Sequence, residues 1–421
     1  MSFSKPEGTN DFLPAVTPRW QWLEASFRRQ CACAGYGEIR TPIFEDTELF
    51  TRGVGDDTDI VTKQMYSFTT RGHDHITLRP EGTASVVRAL IQHNLLEQGG
   101  VQKLYYYGPT FRYERVQSGR YRQFHQLGVE VFAASGPDID AEVLAFAADF
   151  LVSIGLQDAA LELNSVGCPE CRPRYREALR DALSGTRTDL CNDCQRRYET
   201  NPLRILDCKV QSCRALTQEA PVLLDLLCAP CLEHFRGVLA GLQALDVAYS
   251  VNPHIVRGLD YYTRTAFEFM HGNLGAQNTV LAGGRYDGLV AELGGPNTPA
   301  IGFAAGMERL LLAVGDAAAV PEQPGPVFVA TLGPAAHQHG MVLAQALRRA
   351  GVPAATDYLA RSLKAQMREA NRQHAWFTLI LGDDELARGE TTLRDMRTSE
   401  QHSLRLDTVV AHCVAQYPDI P

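Results

Sequence analysis

The sequence predicts an α+β fold built on an antiparallel β-sheet with helices, and three observations support this prediction. Alternating apolar runs flank a polar turn at residues 70–75, a pattern typical of strands that neighbour each other in an antiparallel sheet. Between residues 165 and 245 the pattern changes to helical segments that carry CxxC pairs, which indicates a helical insertion. The proline-rich linker "PEQPGP" then precedes alternating strands and helices, which predict a small α/β domain.

The main domain is expected to comprise residues 1–164 and 246–320. Residues 17–34 have apolar positions at helical spacing, and "GYGEIRTPIFEDTELF" predicts a glycine turn into a strand interrupted by Pro42. A strand, the turn, a second strand and a helix that begins near Gly82 follow. Further strands are predicted in "KLYYYGPTFRYE", "RQFHQLGVEVFA", "RTAFEFM" and "TVLAGGRYDGLV", and "AIGFAAGMERLLLAVG" predicts a strand followed by a helix.

The two other predicted domains are the helical insertion, residues 165–245, and the C-terminal α/β domain, residues 326–421. In the latter, helices are expected at residues 335–350 and 359–374. The second of these would place four basic residues at steps of three, four and four, on one helical face: Arg361, Lys364, Arg368 and Arg372. Such a stripe is a solvated face or an RNA-binding surface, and the pattern alone leaves both open.

Composition and charge exclude several classes of protein. The formal net charge of −9 argues against non-specific coating of nucleic acid, which needs a dense excess of Lys and Arg. No apolar run reaches the length of a membrane span, and the start "MSFSKPEGTNDFLP" lacks the apolar segment of a secretory signal. We therefore expect a cytoplasmic protein with no membrane association.

The stretch "TFRYERVQSGRYRQFHQLGVEVF" at residues 110–132 predicts two strands around an arginine-rich loop. Because residues of equal parity share a face of a strand, Gln126, Gly128 and Glu130 point the same way, as do Arg112 and Glu114. That face is too polar for a core. It is either a solvated hairpin with surface ion pairs or the floor of a ligand cleft.

This stretch resembles the second signature motif of class II aminoacyl-tRNA synthetases, a strand, loop and strand that open with "FRxE". The third motif of that class is similar to "GFAAGMERLLL" at residues 302–312, and the proline-bearing first motif to the segment around Pro42. "RGLDYYTRTAFEF", "AGGRYDGL" and "LRPEGTA" resemble motifs of the histidyl-tRNA synthetase family. Three separated class motifs in the correct order are a specific signal, whereas a lone GxxxG is weak.

The resemblance implies a class II catalytic core, an anticodon-binding C-terminal domain and a homodimer. It also implies roles for particular residues. The histidine-binding residues would be Glu81, Thr83, Gln126, Glu130, Tyr261 and Tyr262. Arg112 and Arg257 would be catalytic, and Arg112, Arg257 and Arg309 would bind ATP. The implied reaction joins L-histidine and ATP with Mg²⁺ into histidyl-adenylate, and then transfers the histidyl group to the 3′ end of tRNA(His).

The chemistry independently requires these residue types. Activation of a carboxylate by ATP brings two anions together, and the planar, permanently charged guanidinium group suits their oxygens. An imidazole-selective pocket needs an acceptor for one N–H and a hydroxyl at the other nitrogen.

The alternative function is a non-catalytic, synthetase-like regulatory subunit of ATP phosphoribosyltransferase in histidine biosynthesis. Such a protein would be expected to lack the C-terminal tRNA-binding domain and to have altered residues in the histidine-specific motifs.

Eight of the eleven cysteines lie between residues 168 and 231. "CPEC" and "CNDC" form two CxxC pairs whose spacing fits a tetrahedral zinc site, with Cys168, Cys171, Cys191 and Cys194 as the predicted ligands. The later cysteines would form a second set of four, or "CAPC" would replace one of the first pairs. Zn²⁺ would be structural here, and reduced thiols without metal are the alternative, since the family's chemistry needs no protein-bound zinc.

Overall fold

A computed structural model describes residues 3–55, 58–206, 208, 210–255, 261–274, 278–315, 320 and 324–418. The chain divides into two compact units, Met1–Val320 and Pro321–Pro421. In the first unit the strands are β1 Gly37–Glu38, β2 Phe44–Asp46, β3 Tyr66–Thr69, β4 His75–Leu78, β5 Gln102–Phe111, β6 Gln123–Phe132, β7 Ala160–Ser165, β8 Ser250–Val251, β9 Thr263–Met270, β10 Thr279–Arg285 and β11 Ala300–Gly306. Its helices are α1 Thr17–Cys33, α2 Thr47–Val54, α3 Thr83–Gln92, α4 Pro137–Ser153, α5 Cys171–Leu183, α6 Asn192–Thr200, α7 Gln211–Thr217, α8 Ala229–Ala244, α9 Leu289–Glu292 and α10 Met307–Val314.

Eight of these strands form one sheet in the order β1-β5-β6-β11-β10-β9-β7-β8. The pairs from β5 to β7 are antiparallel, and only the short edge strands β1 and β8 run parallel to their neighbours. β2, β4 and β3 form a separate antiparallel sheet, in which the predicted turn joins β3 to β4. The predicted α+β fold with a large antiparallel sheet is confirmed.

The main core lies on one face of the large sheet. Phe27 of α1 and Phe150 of α4 are completely buried there, in the same apolar cluster as Leu127 and Val129 of β6. α8 packs against α4 on the same side. Apolar core residues of β6 and β11 alternate with residues that face away from this core, so a site can form on the opposite face of the sheet.

The insertion between β7 and β8 contains short helices around two small apolar clusters, one of which includes Leu179 and Ile205 and the other Tyr175 and Leu223. None of the helices in the described part of the chain has both the length and the apolar character that crossing a membrane requires.

The second unit has a five-stranded sheet in the order β13-β12-β14-β15-β16 with helices around it. Its elements are β12 Gly325–Leu332, α11 Pro334–Arg349, β13 Ala354–Thr356, α12 Leu363–Arg372, β14 Ala375–Gly382, α13 Asp383–Arg388, β15 Glu390–Asp395, β16 Gln401–Arg405 and α14 Val409–Gln416.

α12 begins later than predicted, so the four predicted basic residues do not share one helix. Arg361 precedes the helix, where its backbone N–H and its guanidinium both donate to the Asp357 carboxylate. Glu369 pairs with Arg361 and with Arg372. The predicted stripe is therefore partly neutralised by carboxylates.

Candidate active site

A cavity of about 650 Å³ opens on the face of the large sheet opposite the main core. Its floor follows from strand alternation: Leu127 and Val129 of β6 point into the core, while Gln126 and Glu130 line the cavity. The polar face predicted for residues 110–132 is thus a cleft floor and not a solvated hairpin. The cavity brings together all the predicted histidine-binding residues and two of the predicted arginines: Glu81, Thr83, Arg112, Gln126, Glu130, Tyr261, Tyr262 and Arg309.

The Glu130 carboxylate is the centre of a buried hydrogen-bond network, with only 1% of the residue exposed. Thr83 Oγ1 donates to its Oε1 over 2.7 Å, and Tyr106 donates to the same oxygen over 3.3 Å. The Tyr286 hydroxyl donates to Oε2. Burial raises the pKa of Glu130 to about 8, although the hydrogen bonds from Tyr286 and Thr83 act in the opposite direction. A carboxyl group with a strongly raised pKa therefore lies on the cavity floor.

Glu81 lies at the start of α3 and accepts two backbone hydrogen bonds there. Thr83 N donates to Oε2 over 2.7 Å, and Ala84 N donates to Oε1 over 2.8 Å. Burial raises the pKa of Glu81, and these donors oppose the shift. The carboxylate satisfies the free N–H groups of the first helical turn, which also fixes its position at the cavity wall.

Gln126 lines the cavity and is largely buried. Only 9% of the residue is exposed, and within the described part of the chain its buried Oε1 has no hydrogen-bond partner. Buried polar atoms are normally paired, so this amide suits a ligand donor. Tyr261 and Tyr262 complete the same wall, with ring centroids 4.8 Å apart, and Tyr261 also packs edge-on against Tyr286.

Arginines line another part of the cavity, around Glu114. Arg112 Nε donates to the Pro80 carbonyl over 2.8 Å, and its guanidinium lies 5.4 Å from the Phe124 ring centroid. Arg120 pairs with Glu114 over 3.0 Å. Arg309 donates to the Thr279 carbonyl through Nε and Nη2. Burial lowers the pKa of Arg112 and of Arg309, but a guanidinium remains charged at neutral pH.

Arg257, predicted to act in catalysis and in ATP binding, lies outside the described residues. The predicted metal ligands form a different grouping from the one expected. Cys168 and Cys171 cluster with Cys228 and Cys231, whereas Cys191 and Cys194 cluster with Cys208 and Cys213. "CPEC" and "CNDC" therefore do not share one site, because the insertion folds each of them against a different later cysteine pair.

Sequence reasoning missed two site tyrosines and one buried network. The hydroxyls of Tyr106 and Tyr286 donate hydrogen bonds to Glu130, but the sequence pattern assigns both residues only to predicted strands. Tyr286 could have been identified from the sequence, because it lies in "AGGRYDGL", a stretch that resembles a motif of the family. Its neighbour Arg285 is fully buried and pairs with Asp140 of α4, which also accepts hydrogen bonds from His234 and Thr265.

Family models and curated relatives match nearly the whole chain, including the residues around this cavity. The family model described as histidyl-tRNA synthetase matches residues 8–310, and an anticodon-binding domain model matches residues 326–416. A curated histidine–tRNA ligase from Desulforamulus reducens is 53% identical over 412 residues, which cover 97% of this chain and 98% of the relative. The chain belongs to the histidyl-tRNA synthetase family.

Two further relatives agree with this membership. A histidine–tRNA ligase from Geobacter metallireducens is 52% identical over 403 residues, which cover 95% of this chain and 97% of the relative. The crystal structure of the apo histidyl-tRNA synthetase from S. aureus has a TM-score of 0.84 at 39% identity, and the match covers 98% of this chain and all of that one. The predicted family is confirmed, and the matched range of the histidyl-tRNA synthetase family includes every residue that lines the cavity.

Proposed function

We propose that this protein is a histidine–tRNA ligase that forms histidyl-adenylate from L-histidine and ATP and transfers the histidyl group to the 3′ end of tRNA(His). The observation that carries the proposal is the buried Glu130 carboxyl at the floor of a polar cavity, in a chain of this family. The regulatory-subunit alternative gains no support, since curated relatives that match nearly the whole chain are named as ligases.

Selection of histidine follows from the polar pairing on the cavity floor. The Glu130 carboxylate accepts an imidazole N–H, and a tyrosine hydroxyl, assigned to Tyr262, meets the other ring nitrogen. Glu81, Thr83 and the Gln126 carbonyl oxygen are assigned to the ammonium group of the substrate. A competitor without two ring nitrogens leaves these buried groups unpaired, which costs more than the loss of an apolar contact.

The arginine group is assigned to the phosphates. The carboxylate of histidine attacks the α-phosphate of ATP, forming a bond from carboxylate oxygen to phosphorus while the bond to the pyrophosphate oxygen breaks. Arg112 and Arg309 stabilise the charge that develops, because their guanidinium groups are held in place by the Pro80 and Thr279 carbonyls before the reaction. Arg257 keeps its predicted role here on the basis of the sequence motif alone.

Mg²⁺ enters with ATP, and the substrate phosphates carry most of its contacts. The second unit is assigned to binding the tRNA anticodon, in agreement with its family match.

We also propose a cytoplasmic homodimer. Apolar side chains on the small sheet and just before it support a subunit contact, since Phe44 and Phe68 of the sheet are 51% and 49% exposed and Ile43, which precedes β2, is 42% exposed. Sedimentation of the purified protein tests the dimer.

Aminoacylation tests the proposed function directly. The full-length protein is incubated with labelled histidine, ATP, Mg²⁺ and total tRNA, and acid-precipitable label is measured. We expect histidine to be attached, and tRNA whose 3′ ribose has been oxidised with periodate to accept none. The proposal is wrong if folded protein charges no tRNA with histidine, or charges it with another amino acid.

A further inference from the structure

The eight cysteines of the insertion form two separate groups of four sulfurs. The outer group is Cys168, Cys171, Cys228 and Cys231, and the inner group is Cys191, Cys194, Cys208 and Cys213. Within each group all the sulfurs lie within 4.8 Å of one another. Two sets of four converging thiols in so short a segment require a physical explanation.

The sulfur separations exclude disulfide bonds and fit a tetrahedral metal site. Cys168 Sγ lies 3.6 Å from Cys171 Sγ and 3.8 Å from Cys228 Sγ, and Cys191 Sγ lies 3.8 Å from Cys208 Sγ. A disulfide needs about 2.05 Å, so these are free cysteines. In a tetrahedral site with Zn–S bonds of about 2.3 Å, the sulfurs are about 3.8 Å apart by geometry. The observed separations match this value in both groups.

Backbone donors point at the same sulfurs. Cys228 N donates to Cys171 Sγ and Cys191 N donates to Cys213 Sγ, each over 3.2 Å. Such N–H···S bonds stabilise thiolates, which are the form that binds metal. Cysteines that packed only as small apolar side chains would have no reason to converge in fours and to receive backbone donors at the same time.

The local fold also indicates a need for metal. Cys194, Cys208 and Cys213 are themselves members of one small apolar cluster, and Cys171 and Cys231 belong to the other. Each cluster contains few large side chains, and the segment between α5 and α8 consists of short helices and turns. Small units of this kind commonly gain their stability from disulfides or a metal ion, because the apolar core is insufficient.

The two groups are nested along the chain, with the inner ligands between the two halves of the outer set. The outer group holds both ends of the insertion, and it lies close in sequence to Val166, whose backbone N–H donates to the carbonyl of Arg264 in β9. The inner group ends at Cys213, and the next residue, Arg214, lines the active-site cavity. The outer group thus attaches the insertion to the sheet, and the inner one positions α7 at the cavity.

We propose that the insertion binds two structural Zn²⁺ ions, each held by four cysteine thiolates, with the outer and inner groups as independent sites. This differs from a single site formed by the first two CxxC pairs. It also does not depend on the proposed catalytic function, because neither site contains a residue assigned to histidine or ATP.

The test is zinc content per chain. Full-length protein is purified without chelator and analysed by elemental mass spectrometry. We expect two zinc ions in the wild type, one in Cys168→Ser, one in Cys191→Ser and none in the double variant. Cys33→Ser is the control, since this exposed cysteine lies outside both groups, and it should keep two ions. Fewer than two ions in the wild type, iron in place of zinc, or the same content in every variant contradicts the proposal.

A second measurement tests the proposal even if the cysteine variants fail to fold. X-ray absorption at the zinc edge of the wild-type protein reports the ligands without any substitution. We expect four sulfur ligands per zinc at about 2.3 Å. Nitrogen or oxygen ligands in the average coordination shell would overturn the assignment of eight cysteines to two sites.

Discussion

At the scale of single residues, the buried carboxyl group of Glu130 is the feature of the cavity that most directly predicts how histidine binds. Burial raises its pKa to about 8, so in the free protein the carboxyl group is largely protonated at neutral pH. In the proposed contact an imidazole N–H needs an acceptor, and we therefore expect histidine binding to favour the carboxylate form. Binding should release a proton from Glu130, since a ligand that binds one protonation state shifts the pKa toward that state.

Replacement of Glu130 by Gln tests this role. Calorimetric titration with histidine at about pH 7.5, where free imidazole is mostly neutral, is carried out in buffers of different ionisation enthalpy. We expect the wild type to release protons and Glu130→Gln to release fewer, with weaker histidine binding and unchanged ATP binding. Equal loss of both ligands would indicate that Glu130 has only a structural role.

The raised pKa of Glu130 also has a consequence for stability. Between the ordinary value of 4.5 and about 8, the folded protein holds a proton at Glu130 that the unfolded chain has lost. The contribution of Glu130 to stability therefore falls as the pH rises through this range. The melting temperature of ligand-free Glu130→Gln should depend less on pH there than that of the wild type, and an identical pH dependence would contradict the raised pKa.

At the scale of secondary structure elements, β11 makes room for the Glu130 carboxylate beside it. Gly302 pairs with Glu130 across β6 and β11, and a Cβ atom at Gly302 would lie 1.9 Å from Glu130 Oε2 and 2.4 Å from the Val129 carbonyl oxygen. The backbone cannot move away without disturbing the centre of the sheet. Position 302 therefore requires glycine, because the side chain of any other residue would collide with the Glu130 carboxylate and the Val129 carbonyl oxygen.

Gly302→Ala should displace the Glu130 carboxylate and reduce kcat/KM for histidine by about two orders of magnitude, comparable with the loss of one positioned catalytic donor. KM for ATP should change much less. Gly37→Ala is the control, since it lies in β1 of the same sheet and its Cβ would approach no atom closer than 3.9 Å. Similar kinetics in both variants would contradict the role of Gly302.

The network around Asp140 joins α4 and α8 to β9 and β10 behind the site. Asp140 and Arg285 are both 0% exposed, and Asp140 also accepts hydrogen bonds from His234 and Thr265. Burial would raise the pKa of Asp140, but the hydrogen bond from His234 and the charge of Arg285 lower it overall. The stabilisation it provides is thus fully present at neutral pH and is lost only as the pH falls through that lowered pKa.

Asp140→Asn leaves the Arg285 charge buried without its main partner, and we expect it to destabilise the first unit by about 3–5 kcal/mol. Chemical denaturation followed by a probe in that unit measures the effect. Asp158→Asn, at an exposed position, should have little effect. If the two variants denature at the same midpoint, the network contributes no net stability.

At the scale of the whole molecule, the sequence predicted local features better than long-range pairing. Residues 110–132 do form two strands and a loop, because apolar and polar positions alternate there, and Glu130 and Gln126 do lie in a cavity. The position of β11 between β6 and β10 was not predictable, since strands distant in sequence choose partners through packing. The same reason applies to the cysteines, because four cysteine pairs can combine into sites of four in several ways, and the sequence does not show which pairs meet.

The most direct test of the whole account is ATP–pyrophosphate exchange by the full-length protein with each of the standard amino acids in turn. Because no other side chain offers two ring nitrogens to Glu130 and to the tyrosine hydroxyl assigned to the imidazole, we expect histidine alone to support exchange, with competitors slower by about four orders of magnitude. Exchange with another amino acid at a comparable kcat/KM, or no exchange with any amino acid by folded protein, would contradict the account.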